Sequence, residues 1–148
     1  MIYRQIKETD LPELFKLRVA TWHNAHGEEE LQALGITQES TARLLQQSHR
    51  GWLAELDGRP VGFAMGDKRS GEMWVIAVLK EHEGQGVGRQ LLALVEDWLF
   101  TEGCDPLWLT TDPDENVRAV GFYRYLGWED WKIQDGDRFM RKRRESKR

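Results

Sequence analysis

The sequence predicts an α/β (α+β) domain, one mixed, twisted sheet of six to seven strands flanked by about four helices that cover both faces. Three observations predict it. Strand-like and helix-like segments follow one another in the order β α α β β β α β α β β along 148 residues. Turn-forming pairs punctuate them, at Asp57-Gly58, Ser70-Gly71, Asp112-Pro113 and Asp135-Gly136. The length is that of one domain of about 100–150 residues. The 40% hydrophobic content suffices for a core and excludes wholesale disorder.

Alternation of Ile2, Arg4 and Ile6 with Tyr3, Gln5 and Lys7 gives a short first strand. Asp10 is placed to cap a helix, with Glu13 completing a capping box, and Leu11, Leu14, Phe15 and Trp22 follow at helical spacing. Residues 23–35 are polar, with Glu28, Glu29 and Glu30 at their centre, and read as a loop or a frayed helix. Thr37 can cap a second helix that buries Ala42, Leu44 and Leu45. Residues 52–56 and 61–65 form a hairpin about Asp57-Gly58-Arg59-Pro60. Residues 72–79 are almost continuously apolar and are expected to be a central strand covered on both faces.

Glycines at 84–88 open a third helix, with Val87, Leu91, Leu94, Val95, Trp98 and Leu99 on one side and Gly103 at its end. A strand follows at 107–111. Ala119, Phe122, Tyr123 and Leu126 line one stripe of a fourth helix that Gly127 ends, and 128–133 and 138–140 are closing strands. The domain is expected to span 1–141, leaving a disordered basic tail at 142–148.

The formal charge of −4 conceals two regions. Residues 141–148 hold six basic residues and one acidic residue, a net of +5, so the rest of the chain stands at −9. A body of that sign argues against nucleic acid as a partner and suits a cationic small molecule or basic peptide, or plain solubility. No apolar run approaches the roughly 18 residues of a membrane span, and the first residues show no signal pattern, so no membrane association and a cytoplasmic location are expected. Cys104 is the one cysteine, which excludes an internal disulfide and a cysteine zinc cluster. His23 and His26 lack an evident third ligand, so no metal is expected.

The most informative segment is Gly84-Gln85-Gly86-Val87-Gly88-Arg89, where a strand passes through alternating glycines into a helix. Glycines permit positive φ and close approach, and the unpaired N–H groups of the first helical turn attract a phosphate or pyrophosphate. The spacing is neither that of a P-loop nor G-x-G-x-x-G, and a ligand-free glycine turn is the other reading.

Gly84-Gln85-Gly86-Val87-Gly88-Arg89-Gln90-Leu91-Leu92 resembles the acetyl-CoA pyrophosphate loop of the GNAT superfamily of N-acyltransferases. Asn116-x-x-Ala119-x-x-Phe122-Tyr123-x-x-Leu126-Gly127-Trp128 is similar to that superfamily's second motif, N-x-x-A-x-x-F-Y-x-x-x-G-[FW]. The two stand in the family's order and separation, and the resemblance extends over nearly the whole chain. Glu83 departs from it, since the family usually has Arg or Gln there, and Lys80 stands where Pro is frequent.

The resemblance implies a GNAT-like fold and transfer of an acetyl group from acetyl-CoA to a primary amine of a small molecule or peptide. Attack would be direct, in a ternary complex, without a covalent enzyme intermediate. The pyrophosphate is then expected on N–H groups of Gly84, Gln85, Gly86, Val87, Gly88 and Arg89, and the pantetheine arm along Ile76, Ala77 and Val78. Asn116 is either a helix cap or a second contact to that arm. Tyr123 is the candidate general acid for the departing thiolate; on its stripe alone it is a core aromatic. Glu72 is the candidate general base, placed by period-two alternation on the side of Trp74, Ile76 and Val78; the other reading is an exposed residue at a strand start. Acceptor-binding candidates are Trp22, Glu28, Glu29 and Trp74, with His23, Glu30, Trp128 and Trp131 nearby, aromatics and carboxylates being suited to a cation. A merely solvated acidic loop is the alternative. Family members often dimerise, so a homodimer is an expectation as well. The rival to an enzyme is a non-catalytic CoA-binding sensor or partner-binding module.

Overall fold

The computed structural model describes residues 1–21 and 28–145, the side chain of Glu28 excepted. The strands and helices are β1 (Ile2–Gln5), α1 (Leu11–Thr21), α2 (Glu28–Ala33), α3 (Gln38–Gln47), β2 (His49–Leu56), β3 (Arg59–Asp67), β4 (Glu72–Val78), α4 (Val87–Thr101), β5 (Leu107–Thr111), α5 (Arg118–Tyr125), β6 (Glu129–Gln134) and β7 (Asp137–Lys142). Short 3-10 turns at Glu8–Asp10 and Lys80–His82 precede α1 and α4. The seven strands lie in the order β1-β2-β3-β4-β5-β7-β6. Every neighbouring pair is antiparallel except β4 and β5. This is the mixed sheet that the sequence predicts, with a fifth helix among the described residues, α2, inside the segment read as a loop or a frayed helix.

Local chemistry explains most of the boundaries. Asp57 and Asp135 adopt positive φ, each followed by a glycine that does the same, giving the two-residue loops of the β2–β3 and β6–β7 hairpins. Thr37 caps α3 reciprocally with Ser40, each backbone N–H donating to the other's hydroxyl at 2.9–3.0 Å. Asp10 does not cap α1 from outside. Helical turning starts at Glu8, and the Asp10 carboxylate accepts the Lys7 N–H at 2.8 Å from within the first turn. Glu13 instead forms an exposed ion pair with Lys16.

Two cores sandwich the sheet. On the α4 side lie Leu91, Leu92, Val95 and Leu99 of that helix with Leu107, Leu109 and Met140 of the sheet; on the α1 side lie Leu14 and Leu17 of that helix with Leu53, Phe63, Met65 and Val75 of the sheet. On α4, Leu92 is buried and Leu94 only half-buried, which shifts the apolar stripe slightly from the predicted one.

The closing strand runs one residue into the expected tail. Lys142 pairs with Leu107 in the sheet. Its ammonium donates to Glu96 at 2.7 Å and to the carbonyl of Leu126 at 2.8 Å, so it ties α4 to the end of α5. Glu96 also accepts the Trp128 indole N–H at 3.1 Å. A buried carboxylate needs such partners, which is why residue 142 belongs to the fold.

Candidate active site

The site is made where the sheet opens. β4 and β5 are paired only at Glu72 and Trp108. The Trp108 indole N–H closes this narrow end by donating to the carbonyl of Ser70 at 2.9 Å. Beyond it no further β4–β5 pair forms among the described residues, so the β4 edge at Ile76 and Val78 presents backbone groups without a neighbouring strand.

A cleft of about 400 Å³ lies here, lined by Ile76, Val78, the glycine turn, Arg89, Arg118, Phe122 and Tyr123. Gly86 precedes α4 at φ 84°, and Gly84 has φ 78°. A Cβ at either would meet nothing within 4 Å, so glycine is required there by backbone conformation, not by crowding. Gly88 is different: a Cβ there would lie 3.4 Å from Phe122 and 3.6 Å from Val78, in the floor of the cleft. No acidic residue occupies the first turn of α4, so its free N–H groups face the cleft without internal competition. Val87 is buried in the core and can offer the cleft only its backbone. Gln85 is exposed, 3.3 Å from the His82 imidazole.

Tyr123 projects from α5 into the inner wall, 8% exposed, between Phe122 and Trp128. Its hydroxyl has no hydrogen-bond partner among the described residues. Burial pushes the phenol up to about 12, so it holds its proton at neutral pH. Asn116 is exposed and lies one residue before Val117, which occupies the cap position of α5. Its N–H donates to Asp114 at 2.9 Å, and it does not line the cleft.

Glu72 is not on the side of the sheet that alternation gave it. Met65 pairs with Val75 and Gly66 with Met73, which leaves Trp74 as an extra residue in β4. The bulge reverses the alternation. Ile76 and Val78 point toward α4, whereas Val75 and Ala77 enter the α1 core. Trp74 turns to that second side, edge-on to His49 at 4.9 Å and beneath the Arg18 guanidinium at 5.7 Å. Glu72 pairs with Asp67, two residues from Met65 along β3, and shares that side. It is therefore with Trp74 but across the sheet from Ile76, Val78 and Tyr123. Nor is β4 covered on both sides: Glu72 and Trp74 on one face, and Ile76 and Val78 on the other, are all only half-buried.

Burial, with the charge of Asp67 behind it, lifts the Glu72 carboxyl to about 7. Two carboxylates flanking one strand pair thus favour keeping a proton on Glu72 up to neutrality. Cys104 is no rival nucleophile. Its thiol donates to the Lys68 carbonyl at 3.1 Å, and burial, Asp67 and Glu102 raise its pKa.

Of the acceptor candidates, Glu29 is exposed on α2. Trp22, His23 and the Glu28 side chain lie outside the described residues. Trp128 is in the core rather than in a pocket, held there by its bond to Glu96. Trp131 is exposed on β6, edge-on to Phe139 at 6.1 Å. Two residues that sequence reasoning missed stand at the cleft mouth and beside Glu72: Arg118, the first residue of α5, and Asp67, whose place only pairing reveals. Among the described residues no group of three or more His, Cys, Asp or Glu side chains could hold a metal. No helix there is long and apolar enough to cross a membrane.

Residues 11–128 match the model of the acetyltransferase (GNAT) family. An uncharacterised N-acetyltransferase of Methanocaldococcus jannaschii is 36% identical over 85 residues, which cover 55% of this chain and 54% of that protein. A mycothiol acetyltransferase of Streptomyces griseus is 36% identical over 86 residues, 55% of this chain and 28% of that one. The chain thus spans about half the length, or less, of the curated relatives it matches. The fold is that of the PaiA N-acetyltransferase of Thermoplasma acidophilum, solved in complex with coenzyme A, with a TM-score of 0.82 at 18% identity over 97% of this chain and all of that one. It is also that of the ribosomal-protein-S18-alanine N-acetyltransferase of Escherichia coli, with a TM-score of 0.75 at 22% identity over 96% and 92% of the two chains. With the glycine turn, the opened β4–β5 pair and the family match together, the chain belongs to the GNAT acetyltransferase family.

Proposed function

We propose that this chain transfers an acetyl group from acetyl-CoA to a primary amine of a small molecule or peptide, by direct attack in a ternary complex. The observation that carries the reading is the cleft that joins the glycine turn to the phenol of Tyr123. The coenzyme A held by a protein of like fold supports it.

Acetyl-CoA, when bound, supplies the activated acetyl group and a thiolate leaving group. The N–H groups from Gly84 to Arg89 would hold its pyrophosphate, with the Arg89 guanidinium adding charge. The free edge of β4 would take the pantetheine as an added strand does; Ala77, its side chain turned to the α1 core, contributes backbone alone. Tyr123 donates its proton toward the departing sulfur. Burial that lifts the phenol to about 12 also lifts a thiolate in the same apolar wall, which keeps donation between them feasible.

Glu72 takes the proton that the amine loses as its bond to carbon forms. An alkylammonium near 10.4 must shed a proton before attack, and a carboxyl with a value of about 7 is half-ionised at neutral pH. Because the bulge places Glu72 on the opposite face of the sheet from Tyr123, acceptor and cofactor enter from opposite sides and meet at the gap between β4 and β5. Base and acid are thereby separated by the acetyl group that they act on. Trp74 lies on the acceptor side, beside Arg18 of α1, and a cationic amine would be drawn there to the acidic body of the chain, to which exposed Glu29 contributes.

Thiol release from acetyl-CoA over a panel of primary amines tests the reading. The expected result is release that depends on one class of amine. Coenzyme A binding without release above background would reject it and leave a non-catalytic CoA-binding module.

A further inference from the structure

Glu83 and Arg118 face each other across the mouth of the cleft, and both line it. An Arg118 N–H donates to the Glu83 carboxylate at 3.0 Å, and the side chains are 73% and 39% exposed respectively. Glu83 is the position at which this chain departs from the Arg or Gln of the motif it otherwise resembles. It immediately precedes Gly84, on the turn whose N–H groups suit a phosphate. Among the described residues Arg118 has no other carboxylate partner. Besides Glu83 and Arg118, the charged side chain that lines the cleft among the described residues is Arg89, which is exposed; the preceding turn carries exposed Lys80 and Glu81, and His82, which also lines the cleft, is half-buried beside Gln85.

A carboxylate beside a polyanion site is unfavourable unless something neutralises it. Here Arg118 does so. An exposed ion pair is weak, because water screens it and two long side chains must be held still. A phosphate presents more charge, and its oxygens match the guanidinium fork in two parallel bonds. Arg118 therefore gains by exchanging one partner for the other.

We propose that Arg118 is a phosphate ligand of the cofactor site and that Glu83 is its resting partner, released when a phosphate of coenzyme A arrives. The proposal rests on the reading of the cleft as a coenzyme A site. Glu83 then weakens cofactor affinity by competing for the arginine, and it recaptures Arg118 when the product leaves.

Calorimetric titration of coenzyme A into the wild type, Glu83→Gln, Arg118→Gln and the double variant tests this, with pantetheine, which has no phosphate, as the control ligand. Glu83→Gln is expected to tighten coenzyme A about threefold to fivefold, and Arg118→Gln to weaken it about tenfold. In the Arg118→Gln background the effect of Glu83→Gln should shrink below about twofold, and pantetheine binding should be unchanged throughout. Equal tightening in both backgrounds would make Glu83 only a repelling charge and overturn the exchange. An unchanged affinity in Arg118→Gln, or an equal loss for pantetheine, would overturn the ligand assignment. Wild-type protein that bound no coenzyme A would overturn the cofactor reading and the proposal together.

Discussion

Replacing Glu72 by glutamine separates the two consequences of its displaced carboxyl. The folded value of about 7 stands above the ordinary glutamate value of 4.5. Protonated Glu72 therefore fits the folded site, and that stability is fully present below about pH 4.5. It is lost as pH rises through about 7, where the folded chain must hold an ionised carboxylate beside Asp67. The displacement corresponds to about 3 kcal/mol at ~1.36 kcal/mol per tenfold change in proton affinity, and solvent reaching this half-buried group reduces it to about 2 kcal/mol. The amide of the Glu72→Gln variant keeps the shape without the charge. Urea unfolding of both proteins between pH 4 and 8.5 should give curves that converge at the acid end, with the variant about 2 kcal/mol more stable at the alkaline end. In the acetyl-transfer assay the wild-type kcat/KM should rise through about pH 7, while the variant is about 100-fold slower and lacks that inflection. Parallel unfolding curves would refute the burial argument, and the same inflection in the variant would refute Glu72 as the base.

Three further outcomes follow from individual contacts. Tyr123→Phe should leave melting and coenzyme A affinity within a small margin of wild type, since the hydroxyl has no partner to lose among the described residues, yet lower turnover about 100-fold; steady-state kinetics beside calorimetry checks it. Lys142→Met removes one member of a buried pair and leaves Glu96 uncompensated, so chemical denaturation should show a loss of about 3–5 kcal/mol, against almost none for Arg144→Met beyond the strand. Gly88→Leu places carbon in the floor of the cleft, where Phe122 and Val78 already approach, and should abolish measurable coenzyme A binding in calorimetry while circular dichroism keeps the native spectrum.

Elements whose causes are local are legible in the order of residues alone. Asp57-Gly58 and Asp135-Gly136 specify tight hairpins because few residues tolerate positive φ, and the glycine turn is legible because its conformation needs little beyond its own residues. The family, too, was legible in two motifs, and with it the wall that carries Tyr123. Helix α2 was legible only as one of two alternatives, a loop or a frayed helix, because a short polar segment with one buried leucine, Leu31, has almost no periodic signal. The start of α1 at Leu11 was legible, but not the 3-10 turn before it, because Asp10 can cap either from the preceding position or from within a turn.

Where Glu72 points is a matter of tertiary pairing. Period-two alternation assumes an unbroken ladder, and the extra residue at Trp74 exists only because β3 pairs with β4 in a shifted register. That one bulge carries the candidate base to the face opposite the candidate acid. The gap between β4 and β5 is likewise a property of two strands that meet at a single pair, and neither strand's residues encode it alone. Lys142 looked like part of a charged tail because composition averages over neighbours. Its place was fixed by a buried carboxylate 46 residues away that needs a cation. Short-range chemistry is written in order along the chain; register, divergence and charge compensation depend on which distant residue arrives alongside.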